Sequence, residues 1–347
     1  MKTKKILSLI LCTLLLLSSF SLCAFAKNDE LQPLKELFVF GKGPETEGYS
    51  IDYRYFSPVK EGDTTKYPLV IWLHGMGDGE YDGKQVERSN IAYWASEDFQ
   101  SRFKNAGGAF ILATRSVEEQ GLYWTDSLIF PLRSAIDDFI ASNKDNIDIK
   151  RIYVGGYSMG GKMTLKMATA YPEMFAAAFP ICPAWVPGEE AAEVLKDTPI
   201  WLTSGVPDPL VNYFLMATPT WNNLKAKTSN PENLRFSSLS TVTYENGLPT
   251  SSAHHSWFAV NHDMFSKKNG NYPFMKTIDG NGNKVELTYP DGMISWLSGF
   301  ESDFDGSAAT DSGNEAVKTD GMKTGFSVIT EFFKNLFDYI LSSLGIK

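Results

Sequence analysis

The chain has 347 residues, 43% of them hydrophobic, and a formal net charge of −9. This length and composition are sufficient for a large buried core. Because the chain is acidic and has no basic cluster, we expect neither a nucleic-acid partner nor binding to an anionic surface.

The first 26 residues have the pattern of an export signal. Three lysines fall within the first five residues, an apolar stretch follows, and Ala24-Phe25-Ala26 forms a small-x-small cleavage site. We therefore predict a secreted or cell-surface protein of bacterial type, with an uncleaved amino-terminal anchor as the alternative. Cleavage would lower the net charge to −12 and leave Cys182 as the one cysteine, so the mature chain would form no internal disulfide.

Residues 27–304 alternate short β-rich runs with helical patterns. This alternation predicts an α/β fold, with a mostly parallel sheet that carries helices on both faces. The predicted strands are residues 49–56, 68–73, 109–113, 151–155, 175–181, 200–204 and 242–245. The predicted helices are residues 91–103, 130–146, 160–170, 189–195, 219–227 and 291–297.

The predicted strand at 68–73 runs directly into the sequence His74-Gly75-Met76. In serine hydrolases a loop at this position supplies one of the backbone donors that stabilise the oxyanion. We predict that the N–H of Met76, or of a glycine beside it, is that donor. We interpret His74 as a structural residue that hydrogen-bonds the loop.

Residues 151–168, RIYVGGYSMGGKMTLKMA, place four glycines around one serine. They fit the nucleophile motif G-x-S-x-G, with Ser158 at its centre. They nearly fit the phosphate-loop motif too, but Met163 replaces the hydroxyl residue that binds magnesium. That alternative also leaves the His74 loop unexplained. We therefore predict that Ser158 is a nucleophile at a strand-to-helix turn, and that the N–H of Met159 is the second oxyanion donor.

A serine nucleophile needs a general base, and the base needs a carboxylate that holds its tautomer. The motif predicts the chain order serine, acid, histidine. Asp208 follows the apolar run PIWLTSG and is the predicted acid, with Glu245 after the next predicted strand as the alternative.

Three histidines follow the predicted acid. His254 and His255 lie in the polar loop TSSAHHSW, whereas His262 follows a more apolar stretch and is interpreted as structural. Adjacent side chains point in different directions, but the residues alone do not decide which of the two is the base.

The segments YPLVIWLHGMGDG, RIYVGGYSMGGK, PIWLTSGVPDPLV and AHHSW resemble a known family over most of residues 45–300. This family comprises secreted α/β-hydrolases of the esterase and predicted-peptidase group, related to polyhydroxybutyrate depolymerases and feruloyl or acetylxylan esterases. The resemblance implies an α/β-hydrolase fold, Ser158 as nucleophile and Asp208 as acid. It also implies that the base is a histidine three residues before a tryptophan, which with Trp257 selects His254. The long segments between acid and base and after the tryptophan depart from the family, and they leave the substrate open.

Two tryptophans follow predicted strands at the same end of the sheet. We predict that Trp124 or Trp185 stacks on a sugar or an aromatic acyl group. We predict no metal and no organic cofactor. Cysteines and histidines lack zinc spacing, and residues 279–286 imitate a calcium loop but have Lys284 in place of its glycine.

Residues 305–325 are small and polar, which predicts a flexible linker. Residues 326–347 then repeat apolar side chains every three or four positions, which predicts an amphipathic helix. We predict that this helix contacts a cell-envelope or protein partner. The alternative is that it folds back onto the main domain.

Together these patterns predict an exported serine hydrolase that cleaves small-molecule or polysaccharide carboxylic esters. The alternatives are a serine peptidase on the same fold and a non-catalytic binding module.

Overall fold

The structure is a computed structural model that describes residues 31–116, 123–244, 246–267, 270–287 and 292–307. The predicted signal segment, the helix at 326–347 and most of the linker lie outside the described residues, as does Glu245. Within the described ranges, no helix is long and apolar enough to cross a membrane.

The described residues form eleven strands and nine α-helices, joined by shorter helical turns. The strands are β1 Val39–Lys42, β2 Asp52–Phe56, β3 Tyr67–Leu73, β4 Phe110–Arg115, β5 Ile147–Tyr157, β6 Ala177–Ile181, β7 Ile200–Gly205, β8 Leu234–Leu239, β9 Ser266–Lys267, β10 Gly270–Asn271 and β11 Met275–Asp279. The α-helices are α1 Leu31–Glu36, α2 Lys84–Glu87, α3 Glu97–Ser101, α4 Ile129–Ser142, α5 Met159–Ala170, α6 Glu189–Val194, α7 Thr218–Lys227, α8 Trp257–Asn261 and α9 Met293–Leu297.

Nine of the strands form one sheet in the order β1-β2-β4-β3-β5-β6-β7-β8-β11. The six strands from β4 to β8 in that order run parallel, and β1, β2 and β11 add antiparallel edges. The predicted mostly parallel sheet is therefore confirmed. Because parallel strands end at one edge, the loops after β3, β5, β7 and β8 all lie along the same edge of the sheet.

The central strands are apolar because they are covered on both faces. Every residue of β3, β6 and β7 is buried, as expected for a parallel sheet between two layers of helices. The sequences of such strands are continuous hydrophobic runs, so their positions could be predicted from the sequence.

The predicted strand at 242–245 is wrong. The eighth strand is β8 at Leu234–Leu239, and near 242–245 there is an isolated antiparallel bridge between Thr243 and Pro249. The strand sequence LRFSSL contains serines, so its composition does not indicate that it is buried. Ser237 is buried and pairs with the indole of Trp201 and the hydroxyl of Thr277, so polar partners take the place of apolar packing.

The predicted helix at 91–103 is divided in two. A 3-10 helix covers Ile91–Ala95, and α3 follows at Glu97–Ser101. Ser96 has extended backbone angles, and its side chain accepts the N–H of Phe99, so it ends one helix and caps the next. The predicted helix at 130–146 ends earlier, at Ser142, because β5 begins at Ile147.

Candidate active site

Ser158 lies at the turn between β5 and α5. Its backbone has φ 57° and ψ −115°, a conformation that non-glycine residues rarely adopt. Such backbone strain costs about 1–3 kcal/mol and is concentrated at functional sites. The N–H of Ser158 donates to Ile181 O at 2.9 Å, and its carbonyl accepts the N–H of Ala184 at 3.0 Å. The turn is therefore fixed against the end of β6.

The glycine after Ser158 lets α5 approach the loop that follows β3. A Cβ on Gly160 would lie 2.0 Å from Leu73 O and 2.5 Å from His74 O. Met159 is the first residue of α5, so its N–H has no acceptor within the helix. The close approach thus places the start of α5 beside the loop that contains Met76.

His74 is fully buried and holds the loop in shape. Its Nδ1 donates to Gly75 O at 2.6 Å, and its Nε2 accepts the N–H of Ser116 at 3.0 Å. Burial lowers the pKa of His74 to about 4, so the ring is neutral at ordinary pH. The side chain of Met76, two residues on, is exposed, and among the described residues the N–H of Met76 has no acceptor.

The carboxylate of Asp208 lies just beyond β7 and is oriented by the backbone. Its Oδ1 accepts the N–H groups of Leu210 and Val211, at 2.8 and 2.9 Å. Its Oδ2 lies 2.9 Å from Nδ1 of His254. Asp208 is buried, and its ion partner within the described chain is this histidine.

A second close approach holds the two loops together. A Cβ on Gly205, the last residue of β7, would lie 2.4 Å from Ala253 O. The loop that contains His254 can therefore pack directly against the end of β7. Burial alone would lower the pKa of His254, but the nearby Cys182 sulfur and Asp208 carboxylate favour the imidazolium and outweigh it, so the pKa is raised above its usual 6.5.

The structure distinguishes among the three downstream histidines. His254 hydrogen-bonds Asp208, whereas His255 lies beside Trp257, with ring centroids 5.9 Å apart. Burial, followed by the charges of His254 and Arg88, lowers the pKa of His255 to about 4. His262 is buried against Phe258 at a centroid distance of 3.9 Å, as expected for a structural histidine.

The described contacts connect His254 to the residue that precedes Ser158, but they include no hydrogen bond between Ser158 and His254 themselves. The ring of Tyr157, which precedes Ser158, lies 6.4 Å from the ring of His254. Within the described chain Ser158 Oγ makes no hydrogen bond to that ring. Long serine–histidine separations are common without a substrate and shorten when one binds.

Two residues that contact His254 or Tyr157 were not identified from the sequence. Cys182 follows β6 with φ 34°, and its sulfur lies 3.7 Å from His254 O. Asp78 is buried in the loop after β3 and accepts the hydroxyl of Tyr157. Asp78 falls in the quoted segment HGMGDG, but nothing in the sequence alone indicates its distant partner.

The predicted substrate contacts of Trp124 and Trp185 are wrong. Trp124 is fully buried, and its indole N–H donates to His74 O at 3.1 Å. Trp185 is also buried, and its ring packs against the ammonium of Lys166 at 4.5 Å. Both rings are therefore packed inside the protein, where neither is exposed for stacking on a ligand.

Comparisons with known proteins agree with this architecture. A family model described as phospholipase/carboxylesterase matches residues 132–241. A solved thermostable esterase is 29% identical, with a TM-score of 0.55 over 66% of this chain and 61% of that one. The fold is an α/β-hydrolase fold. The chain resembles carboxylesterases in sequence and in structure.

Two further proteins resemble the chain. A bifunctional acetylxylan esterase/xylanase of Neocallimastix patriciarum is 27% identical over 148 residues, which are 42% of this chain. The chain spans only 20% of that relative's length. A solved esterase of Thermogutta terrifontis is 13% identical, with a TM-score of 0.42 over 56% of this chain and 79% of that one.

Proposed function

We propose that the chain is a serine hydrolase that cleaves carboxylic esters through an acyl-enzyme. The observation that carries the proposal is the hydrogen bond between His254 Nδ1 and Asp208 Oδ2, together with a serine in a strained strand-to-helix turn at the same edge of the sheet. A histidine base oriented by a buried carboxylate, together with a serine hydroxyl at a tight turn, is the arrangement that activates serine nucleophiles. The resemblance to a thermostable esterase and to the carboxylesterase family model supports the same chemistry.

In the proposed reaction Ser158 Oγ attacks the ester carbonyl carbon while His254 Nε2 accepts the hydroxyl proton. Asp208 keeps the proton of the imidazole on Nδ1, which leaves Nε2 free to act. The N–H groups of Met159 and Met76 stabilise the negative oxygen of the tetrahedral intermediate. His254 then returns the proton to the departing alcohol. Water repeats the sequence on the acyl-enzyme and releases the carboxylic acid.

The proposed substrates are small acyl esters or esters attached to carbohydrate. The support for a carbohydrate-linked ester is the similarity to a bifunctional acetylxylan esterase/xylanase. The export pattern of residues 1–26 and the amphipathic pattern of residues 326–347 support action outside the cytoplasm, with a cell-envelope or protein contact.

Turnover of a short p-nitrophenyl ester and of a peptide p-nitroanilide separates an esterase from a peptidase. We expect ester turnover that is lost in Ser158→Ala, with anilide turnover at least about 100-fold slower. Removal of a serine nucleophile typically reduces kcat by about 10⁶-fold. Faster anilide turnover would favour a peptidase, and absence of turnover on both substrates in a folded protein would favour a binding module.

A further inference from the structure

We propose that Cys182, His254 and Asp208 form a binding site for a thiophilic divalent cation such as Zn²⁺ or Cd²⁺, and that an ion bound there inhibits the enzyme. The ligand atoms of the three side chains all lie within 4.8 Å of one another, and all three residues are buried. Thiolate, imidazole and carboxylate are the ligands that zinc uses in proteins, and three protein ligands plus a water complete its tetrahedral site. These residues are far apart in sequence, so chain spacing does not reveal them.

The distances suit an ion of this size. Zinc lies about 2.0–2.3 Å from nitrogen, oxygen and sulfur ligands, so tetrahedral ligands are roughly 3.4–3.6 Å apart. In the structure Nδ1 of His254 and Oδ2 of Asp208 are 2.9 Å apart, and the sulfur of Cys182 lies within 4.8 Å of a ring nitrogen of His254 and of a carboxylate oxygen of Asp208. Adjustments of at most about 1.4 Å would therefore bring the three atoms into a coordination shell.

The charge of the site also favours a cation. Asp208 is a buried carboxylate, and no lysine or arginine of the described chain forms an ion pair with it. Leu210 and Val211 hold its Oδ1 through their N–H groups, so Oδ2 is the oxygen that faces the ligand cluster. Solvent reaches the cluster at His254, which has 11% of its side chain exposed.

Binding inhibits because the ion takes the nitrogen that faces Asp208. The ion replaces the proton of the Cys182 thiol, and this proton is released to solvent. The proton on Nδ1 of His254 moves to Nε2 as the metal bond forms. With Nε2 protonated, the ring has no lone pair for the Ser158 proton. The inhibitory half of the proposal therefore rests on the proposed function, whereas binding of the ion does not.

The test uses the full chain with Cys12→Ser and Cys23→Ser, which leaves Cys182 as the one thiol. Cd²⁺ is titrated while the ultraviolet absorption of a cadmium–thiolate bond is followed, and Zn²⁺ is titrated against p-nitrophenyl ester turnover. We expect one cadmium per chain, and zinc inhibition at the concentrations that displace cadmium. Mg²⁺ should have no effect, because it prefers oxygen ligands.

Three variants locate the site. In Ser158→Ala, cadmium absorption should be unchanged, so the binding measurement needs no turnover. In Cys182→Ala the absorption should disappear, and zinc inhibition, relative to that variant's own metal-free rate, should weaken about 100-fold or more. In His254→Ala cadmium affinity should fall by about tenfold or more.

The proposed metal site would be contradicted if zinc inhibition persisted in Cys182→Ala, or if the parent protein showed no cadmium–thiolate absorption. Cadmium binding without zinc inhibition of a turning-over enzyme would overturn the inhibitory mechanism. If the protein bound cadmium but hydrolysed no ester, the metal site would be supported and only the proposed function would be contradicted.

Discussion

At the scale of single residues, the proposed chemistry depends on the protonation of His254. The adjacent sulfur and carboxylate outweigh burial and raise its pKa above 6.5. A general base must be neutral, so kcat/KM should rise with pH along a limb whose midpoint lies above 6.5.

Asp208→Asn removes one of the two neighbours that raise the pKa of His254. We expect the midpoint of the kcat/KM limb to move to lower pH and the plateau to fall by about 10⁴-fold, because the correct tautomer is no longer enforced. Cys182→Ala should also move the midpoint down, with a smaller loss in the plateau. A midpoint that is unchanged in both variants would show that another group titrates.

The buried carboxyl of Asp78 should make the free energy of unfolding depend on pH. Burial raises its pKa from 3.8 to about 6, although the hydrogen bond from Tyr157 lowers it. The folded chain therefore holds this proton more tightly than the unfolded chain does, and Asp78 destabilises the fold as pH rises from about 4 to 6, by roughly 3 kcal/mol in total. Asp78→Asn keeps an oxygen for the tyrosine and carries no charge, so its stability relative to the parent should increase from pH 4 to 7.

Chemical denaturation at several pH values measures this difference directly. The matched control is Asp82→Asn. The hydrogen bond from Arg54 lowers the pKa of Asp82, so this carboxylate stabilises the fold above its unfolded pKa, and the support is lost as pH falls. The relative stability of Asp82→Asn should therefore fall as pH rises. If the two variants change in the same direction, the assignment for Asp78 is wrong.

The residues of the candidate site could be predicted to different degrees. Ser158 was recognisable because its turn is encoded by neighbouring glycines. The contact between His254 and Asp208 spans 46 residues, so physical reasoning on the sequence could not separate His254 from His255, and the family resemblance was needed. Trp124 was misassigned because its position at a strand end did not reveal that its indole would hydrogen-bond the backbone of His74.

At the scale of elements, the site depends on the contact between α5 and the loop after β3. Gly160→Ala would place a methyl group 2.0 Å from Leu73 O. We expect a loss of about 1–3 kcal/mol in unfolding free energy, because the helix must move away. A misplacement near 1 Å can reduce catalysis by about 100-fold, so kcat/KM for the ester should fall by about that factor.

The control for this substitution is Gly299→Ala. Its added methyl group would have Trp296 O as its nearest neighbour, at 3.3 Å, a contact that a small shift relieves. We expect little change in melting temperature or ester turnover for this control. Equal effects of the two substitutions would mean that the close packing of α5 has no special role.

Most strands could be predicted because their burial makes them apolar, but β8 could not. Its buried Ser237 is satisfied by side chains from β7 and β11, and the pairing partners are known only once the sheet is assembled. The edge strand β1 was missed for a related reason. It is largely exposed, so its sequence carries no burial pattern.

At the scale of the whole molecule, the described contacts indicate where the chain can be shortened without loss of the fold. Arg133 donates to Ser307 O at 2.8 Å, and its guanidinium packs over Phe304, which is buried. A chain that ends at Ser307 should therefore keep the parent's melting temperature and ester turnover, while its localisation changes. A chain that ends at Ser302 loses Phe304 and should be about 3 kcal/mol less stable. Lost turnover in the chain that ends at Ser307 would contradict this boundary.

The proposed reaction requires that Ser158 becomes acylated during turnover. The most direct measurement is to treat the folded protein with a fluorophosphonate probe and to measure the mass of the intact chain. Peptide mass spectrometry then locates the adduct. We expect one adduct per chain, on Ser158, with slower labelling in His254→Ala and none in Ser158→Ala. An adduct on another residue, or a folded and ester-hydrolysing protein that stays unlabelled, would contradict it.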